Sequence, residues 1–342
     1  MRKSTDWAVH WAQEWYGEKL DRPSRERARL IARARSGDPT VSGPIIEFLK
    51  GEPNAAWRAS LVSMLDGREG DPSVREFLAR AGSDESPLVR VAAIRGLERT
   101  RPDVLSKATS DPSRNVRLSA SWQLLMNRQS LPSGPREEIE KYLRNASDQV
   151  GGAFFQARLA AVENRLPEME RWTGIATTRD PSSGMFNQAA HLMYQANLLP
   201  KAKDYFDRAL AADPENADAA YSLALLEAEL GNSPRSLQLL RKAVTLEPNF
   251  GRAWYNLGLA EAAAGELAAS AAALEEAVAR LPESPDPAYA LATVQLRMDN
   301  PAKAAESAKR ALAISPGHPQ AQRLLRQLSL PQIPEASPAP KR

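Results

Sequence analysis

The chain has 342 residues, of which 43% are hydrophobic and 6% aromatic, and its 45 basic and 42 acidic residues leave a net charge of +3. That balance gives no argument for nucleic-acid binding. The absence of cysteine excludes disulfides, thiolate metal sites, cysteine nucleophiles and covalent haem attachment within this chain.

The first predicted helix, TDWAVHWAQEWYG, places Trp7, Trp11 and Trp15 on one face, because they are spaced four residues apart. This row either packs against the first helical pair or forms a binding stripe. The next segment, RPSRERARLIARARSGD, is rich in arginine, with Leu30 and Ile31 expected on its buried side. Its arginines form either a solvated face or a local contact to an anion.

Residues 20 to 130 carry three similar predicted helices, NAAWRASLVSMLDG, SPLVRVAAIRGLER and SRNVRLSASWQLLM. Asp-Pro or Ser-Pro precedes several helices here, which predicts an Asp or Ser cap with proline in the first turn. The phrase DPSxxVRxxA resembles short HEAT-like repeats, which implies stacked helical pairs. Each of the three helices places an arginine after an apolar residue (Arg58, Arg90 and Arg117). These arginines either bind a ligand or form a ladder between repeats to Asp side chains or backbone carbonyls.

The second half has a 34-residue period. Four similar phrases, RALAADP, KAVTLEP, EAVARLP and RALAISP, end at Pro214, Pro248, Pro282 and Pro316. An alanine stands five residues before each proline, and each unit is predicted to form two closely packed helices. The proline ends the second helix, because its ring disfavours the helical conformation of the residue before it.

The third unit places Trp254, Leu257 and Gly258 as W-x2-L-G, followed by Ala277 and Pro282. This pattern resembles the tetratricopeptide repeat, which implies a superhelix of helical pairs. A degenerate unit, GGAFFQARLAAVEN with LPEMERWTGIATTRDP, is expected to precede the four, and HPQAQRLLRQLS is expected to cap them.

The predicted fold class is therefore an all-α solenoid, in which short HEAT-like helical pairs are followed by a tetratricopeptide repeat superhelix. We expect the N-terminal helix and HEAT-like repeats in 1–132 and a connecting segment in 133–148. The tetratricopeptide repeats with their capping helix are expected in 149–329, and a disordered proline-rich tail in 330–342.

In the tetratricopeptide family the first helix of each unit lines the concave groove. Its fifth position is occupied here by Asn187, Tyr221, Tyr255 and Tyr289. A tyrosine column offers flat amphipathic contact area to a peptide at low entropy cost, although packing within the protein would equally explain it. The ninth position lacks the basic and amide side chains of carboxylate-binding grooves, so a chaperone C-terminal tail is a poor candidate ligand.

No catalytic constellation is found. The three histidines are far apart in sequence, and Gly258 and Gly265 lack the strand and lysine of a phosphate loop. We therefore predict a non-enzymatic scaffold that binds a protein or peptide partner, with no catalytic residue, cofactor, metal or nucleic acid.

The whole-chain order also resembles the C-terminal region of bacterial multihaem c-type cytochromes. The alternative function is therefore the scaffold portion of an exported electron-transfer protein whose haem-binding part lies outside this chain, with a haem-bearing segment or subunit as partner. His10 would then be either a distal haem ligand or an ordinary histidine on a helix face. No signal peptide is evident and no apolar run approaches the ~18 residues of a membrane span. We expect a cytoplasmic location by default, and a periplasmic one if the chain is a fragment of such a cytochrome.

Overall fold

The computed structural model describes Trp7, His10, Trp11, Glu14, Trp15, Gly17 and residues 23–97 and 101–329. Within residues 23–97 and 101–329 it contains nineteen α-helices, one short 3-10 helix at Pro39–Val41 and no strand. The predicted all-α fold class is confirmed. The predicted tail, 330–342, lies outside the described residues.

The helices are numbered in chain order: α1 Pro23–Arg35, α2 Ser42–Leu49, α3 Ala55–Ser63, α4 Pro72–Ala81, α5 Pro87–Leu97, α6 Pro102–Ala108, α7 Arg114–Met126, α8 Ser133–Asn145, α9 Val150–Val162, α10 Leu166–Arg179, α11 Ser183–Gln195, α12 Leu199–Ala212, α13 Ala217–Glu229, α14 Ser233–Leu246, α15 Gly251–Ala263, α16 Leu267–Arg280, α17 Pro285–Arg297, α18 Pro301–Ile314 and α19 Pro319–Ser329. None of the described helices is long and apolar enough to cross a membrane.

Contacts divide the chain into two compact units, Met1–Trp172 and Thr173–Arg342. The boundary falls inside α10, close to the end of the degenerate unit expected from the sequence. The domain limits at 132 and 148 stay predictions.

In the first unit, α5 packs against α3 and α7, while α4 packs against α5 and α6 against α7. Buried leucine, isoleucine and valine side chains from α1 to α7 form one continuous core. Leu30 is 1% exposed, and Ile31 packs against the same core, so the buried side predicted for the arginine-rich helix is confirmed.

Side-chain caps begin several of these helices. Asp71 accepts a hydrogen bond from the backbone N–H of Ser73 at 2.8 Å, and Pro72 is the first residue of α4, as predicted. Asp38 accepts from the hydroxyl of Thr40 at 2.7 Å and from Arg33 at 2.7 Å. These bonds, that of the Thr40 hydroxyl first, lower the pKa of Asp38 from 3.8 to about 2.

The second unit repeats a pair of helices: α11 with α12, α13 with α14, α15 with α16, and α17 with α18. The second helix of each pair ends two residues before the periodic proline, and the alanines five residues before those prolines are 0% exposed. The predicted roles of both residue types are confirmed. Helix α19 packs against α18, as expected of a capping helix.

The first helix of each pair ends at a residue in the left-handed conformation. Gly231 and Gly265 have φ of +82° and +83°, and Asn197 and Asp299 occupy the same position with φ of 58° and 56°. Glycine adopts this conformation at no steric cost, and Asn and Asp tolerate it better than other residues do. The 34-residue period therefore extends to the turns that follow the first helix of each pair.

Candidate functional site

The four residues predicted to line a groove are the fifth residues of α11, α13, α15 and α17: Asn187, Tyr221, Tyr255 and Tyr289. All four are partly exposed. The structure places them at equivalent positions of successive helices, and their role in binding a partner stays a prediction.

Part of each tyrosine is used to pack neighbouring repeats together. The Tyr221 ring lies 4.7 Å from that of Phe250, and the Tyr289 ring lies 5.2 Å from that of His318. Phe250 and His318 each stand just before the first helix of the following unit. Tyr255 and Tyr289 also pack against a buried cluster. Packing therefore holds these rings in place, and each tyrosine remains partly exposed.

Burial and hydrogen bonds act on several tyrosine hydroxyls of the second unit. Burial raises the pKa of Tyr221 and that of Tyr255 above the usual value of 10.0. The Asn256 side-chain amide donates to the Tyr221 hydroxyl at 2.8 Å, which fixes its orientation. The Tyr194 hydroxyl donates to Glu229 at 2.8 Å, and this bond raises the pKa of Tyr194.

Two exposed leucines lie one helical turn beyond the tyrosines. Leu225 and Leu259, the ninth residues of α13 and α15, are each 40% exposed. Residues four positions apart share a helix face, so the leucines extend the surface of Tyr221 and Tyr255. We call these four residues the Tyr–Leu stripe. It carries no charged side chain.

The beginning of the second unit is more polar on the same face. His191, the ninth residue of α11, lies edge-on to Phe206 at 5.1 Å, and burial lowers its pKa. Its Nε2 atom is 3.3 Å from the Ser222 hydroxyl oxygen. One turn earlier, the Asn187 side-chain oxygen is buried without a hydrogen-bond partner. An acceptor left in that state costs stability.

Two buried carboxylates, Glu227 and Glu261, occupy the eleventh position of α13 and α15. Glu227 is 2% exposed and accepts hydrogen bonds from Lys203 at 2.6 Å and Asn232 at 3.0 Å. Burial raises its pKa, but these bonds outweigh burial and hold the pKa below its usual value. Arg241 donates to Glu261 at 3.0 Å. Both carboxylates are thus committed to ion pairs between helices.

The contact that recurs in the first unit is an arginine ladder. Arg90 donates to the carbonyl oxygens of Asp84 and Glu85 at 2.8 and 3.0 Å. It also donates to both carboxylate oxygens of Asp111, in the next loop, at 2.8 Å. Arg58 and Arg117 make the same two kinds of contact. The carboxylates bound by the three arginines, in chain order, are Asp84, Asp111 and Glu138. The predicted ladder is confirmed, and these guanidinium groups are used inside the protein.

An open groove in the first unit was not predicted. Its volume is about 960 Å³, and α3, α5, α7, α8 and α9 line it. Small side chains of α3 face it (Ala56, Ala59, Ser60 and Ser63), together with the apolar side chains of Leu88, Val91, Leu118 and Trp122. Leu88 is 57% exposed. The sequence signal was the small-residue face of α3, whose residues recur three and four positions apart.

The N-terminal tryptophans form the predicted row. The ring centroids of Trp7 and Trp11 are 6.3 Å apart, and those of Trp11 and Trp15 are 5.6 Å apart. Trp7 is 39% exposed and Trp15 is 65% exposed. Of the two alternatives for this row, packing against the first helical pair does not hold for Trp15, and a binding role stays a prediction.

The histidines lie on separate elements. His10 is beside Trp11, with ring centroids 5.5 Å apart, whereas His191 is in α11 and His318 precedes α19. Within the part of the chain that the structure describes, no group of three or more His, Asp or Glu side chains could hold a metal ion.

Two family profiles described as tetratricopeptide repeat match the chain, one at residues 187–251 and 229–285 and the other at residues 261–328. No curated protein matches it. The HEAT-like and multihaem-cytochrome resemblances do not appear among these matches and stay predictions.

Several solved structures are similar to part of the chain. YrrB, described as a TPR protein with an unusual peptide-binding site, is 23% identical, with 55% of this chain and 97% of that chain covered and a TM-score of 0.46. PilW, described as a widely conserved type IV pilus biogenesis factor, is 18% identical, with 63% and 100% covered and a TM-score of 0.47. MamA from Desulfovibrio magneticus RS-1 is 21% identical, with 52% and 96% covered and a TM-score of 0.42.

Proposed function

Because residues 187–328 are tetratricopeptide repeats, we propose that the chain is a non-catalytic interaction scaffold and that the Tyr–Leu stripe binds a peptide or extended segment of a partner protein. One observation carries this proposal. Leu225 and Leu259, at equivalent positions of neighbouring helices, each expose 40% of their surface beside a tyrosine. A recurring apolar position that is left open to solvent is a typical feature of a binding surface.

The tyrosines suit this role because their packing makes them rigid. Contact with Phe250 and the hydrogen bond from Asn256 hold Tyr221 in place before any partner arrives. A partner that covers the exposed side of such a ring loses little side-chain entropy. The half-buried position of the tyrosines thus serves both packing and binding.

The chemistry of the surface limits the partner. The ninth positions of α13, α15 and α17 carry Leu225, Leu259 and Thr293, and the Thr293 hydroxyl donates to the Ala290 carbonyl of its own helix at 2.7 Å. Recognition of a terminal carboxylate would need cationic or amide donors at these positions. The partner segment is therefore apolar or aromatic along the side that contacts the stripe.

Substitution of Leu259 tests the proposal. Tagged wild type, Leu259→Asp and Leu230→Asp are used to capture proteins from the native cell extract, and the captured proteins are quantified by mass spectrometry. Leu230 is 45% exposed and directly follows α13, five residues beyond Leu225, so it points away from the stripe and is a matched control. We expect a partner to be reduced at least about tenfold by Leu259→Asp and retained by Leu230→Asp, as for a residue near the centre of an interface.

The variants must first melt at the same temperature as the wild type, so that lost capture reports lost contact. A set of captured proteins that is unchanged by Leu259→Asp at equal stability would refute the stripe as the binding surface. Tyr255→Ala is a less informative variant, because Tyr255 also packs against a buried cluster.

A further inference from the structure

The first unit carries two exposed apolar features of complementary form. One is the tryptophan row, Trp7, Trp11 and Trp15, and the other is the groove of about 960 Å³ lined by α3, α5, α7, α8 and α9. We propose that the tryptophan row of one chain docks in this groove of a second copy, and that two such contacts form a symmetric dimer.

The groove has the chemistry that indole rings require. Its side formed by α3 consists of alanine and serine, so a flat ring can approach the helix closely. Ser60 and Ser63 donate their hydroxyl protons to the carbonyls of Ala56 and Ala59 at 2.9 and 3.0 Å. Their oxygens keep free lone pairs, which can accept from an indole N–H, a group that only donates.

The side chains of α5 and α7 that line the groove are apolar at several positions, although Arg95, Asn115 and Gln123 also line it. Leu88, Val91 and Leu118 line it, and Trp122 packs edge-on against Phe155 with ring centroids 4.8 Å apart. Aromatic pairs favour such tilted contacts, so a further ring can add to this arrangement.

The near-neutral charge of the groove also favours the tryptophan row as its occupant. Among the residues that line the groove, Asp66 and Arg95 are the charged ones, one acid and one base. A partner with a strong net charge would find no complementary field there. The tryptophan row presents three uncharged rings, whose neighbouring centroids lie 6.3 and 5.6 Å apart.

The surface buried by one tryptophan row in one groove is too small for a specific interface, so the contact must occur twice. Trp7 at 39% and Trp15 at 65% exposure offer together about 260 Å² of indole surface, if a whole aromatic side chain has about 250 Å². One contact, with both faces counted, buries about 500 Å², which is below the roughly 1,000 Å² of a specific interface. Two reciprocal contacts reach that threshold and close the assembly.

The partner is a second copy rather than the same chain. With Trp15 65% exposed, the row does not fill the groove of its own chain in the structure described here. An interface at the lower limit of size is weak, so the dimer forms at high chain concentration.

Light scattering coupled to size-exclusion chromatography tests the proposal, with the wild type studied from about 1 µM to about 1 mM, the range of weak interfaces. We expect the mass to rise from 37.4 kDa toward twice that value. Trp15→Ser and Leu88→Lys should each hold it at one chain. Leu230→Lys, which alters a leucine of similar exposure in the second unit, should dimerise as the wild type does.

Mixing the two dissociated variants gives the sharpest result. The Trp15→Ser chain keeps its groove and the Leu88→Lys chain keeps its tryptophan row, so the mixture can form one of the two contacts. We expect the mixture to associate more than either variant alone and less than the wild type. A wild type that stays at one chain mass throughout, variants that dimerise unchanged, or a mixture no heavier than its parts would each overturn the proposal.

Discussion

Substitution of Gly258 by alanine tests whether this glycine is needed for close contact between two helices. A Cβ atom added there would lie 2.6 Å from Cγ and 2.8 Å from Cδ2 of Leu274, and 3.2 Å from the Ser270 carbonyl oxygen. Leu274 is 0% exposed, so its side chain has no open space to move into. The Ser270 hydroxyl donates to the Gly258 carbonyl at 2.7 Å, which holds α15 and α16 at this distance.

The size of the effect follows from two opposing contributions. Overpacking of a core costs about 1–3 kcal/mol, and replacing glycine by alanine inside a helix returns up to about 1 kcal/mol. We expect Gly258→Ala to lower the free energy of unfolding by about 1–2 kcal/mol. For a unit of this size that is a fall of about 2–8 °C in Tm.

Gly174 provides the matched control. It also lies inside a helix, α10, but a Cβ added there meets nothing within 4 Å. Gly174→Ala should therefore raise Tm by about 2–4 °C, through helix propensity alone. Both variants are measured by thermal and urea unfolding followed by circular dichroism. A Gly258→Ala protein that melts at or above the wild-type temperature would refute the close-contact interpretation.

Three further predictions concern polar groups. Arg90→Met should lower the free energy of unfolding in urea by about 2–4 kcal/mol, because Arg90 and Asp111 are each 12% exposed and the Asp111 carboxylate loses its partner. The control Arg101→Met removes an exposed ion pair and should change the free energy of unfolding by less than about 0.5 kcal/mol. Equal effects of the two substitutions would contradict the ladder. Asn187→Leu should raise stability by about 1 kcal/mol in the same assay, since it removes a buried acceptor without a partner, and a loss of stability would show that the amide is needed. Asp38 has a folded pKa of about 2 against 3.8 when unfolded, so its contribution is complete above pH 3.8 and is lost as the pH falls through about 2. Asp38→Asn should make the free energy of unfolding depend less on pH in that window. A pH dependence unchanged from the wild type would refute the role given to Asp38.

The sequence predicted the repeats well because their signals are local. Proline ends a helix wherever it falls, and small residues allow close packing at fixed intervals, so the 34-residue period needed no tertiary information. The turns at Asn197 and Asp299 were missed, because Asn and Asp are also common in ordinary loops and only their register with Gly231 and Gly265 identifies them.

The candidate surfaces were harder to predict because they depend on neighbouring helices. The position of Tyr221 followed from the period, whereas its contact with Phe250 depends on how the next unit packs. In the first unit, the groove is lined by residues of five helices, so the small-residue face of α3 alone did not predict it.

The arginine ladder also determines which loops can change length. Asp84 accepts from the Ser86 backbone N–H at 2.8 Å and from Arg58 at 3.0 Å, while its carbonyl accepts from Arg90 at 2.8 Å. Surface loops ordinarily tolerate insertions and affinity tags. Here the turn at 84–86 joins Asp84, which Arg58 and Arg90 both bind, to α5, which carries Arg90. One added residue there would change the distance between Asp84 and Arg90, so this turn tolerates insertions less well than an ordinary surface loop. A tag or a domain inserted there would therefore disrupt the contact between two repeats.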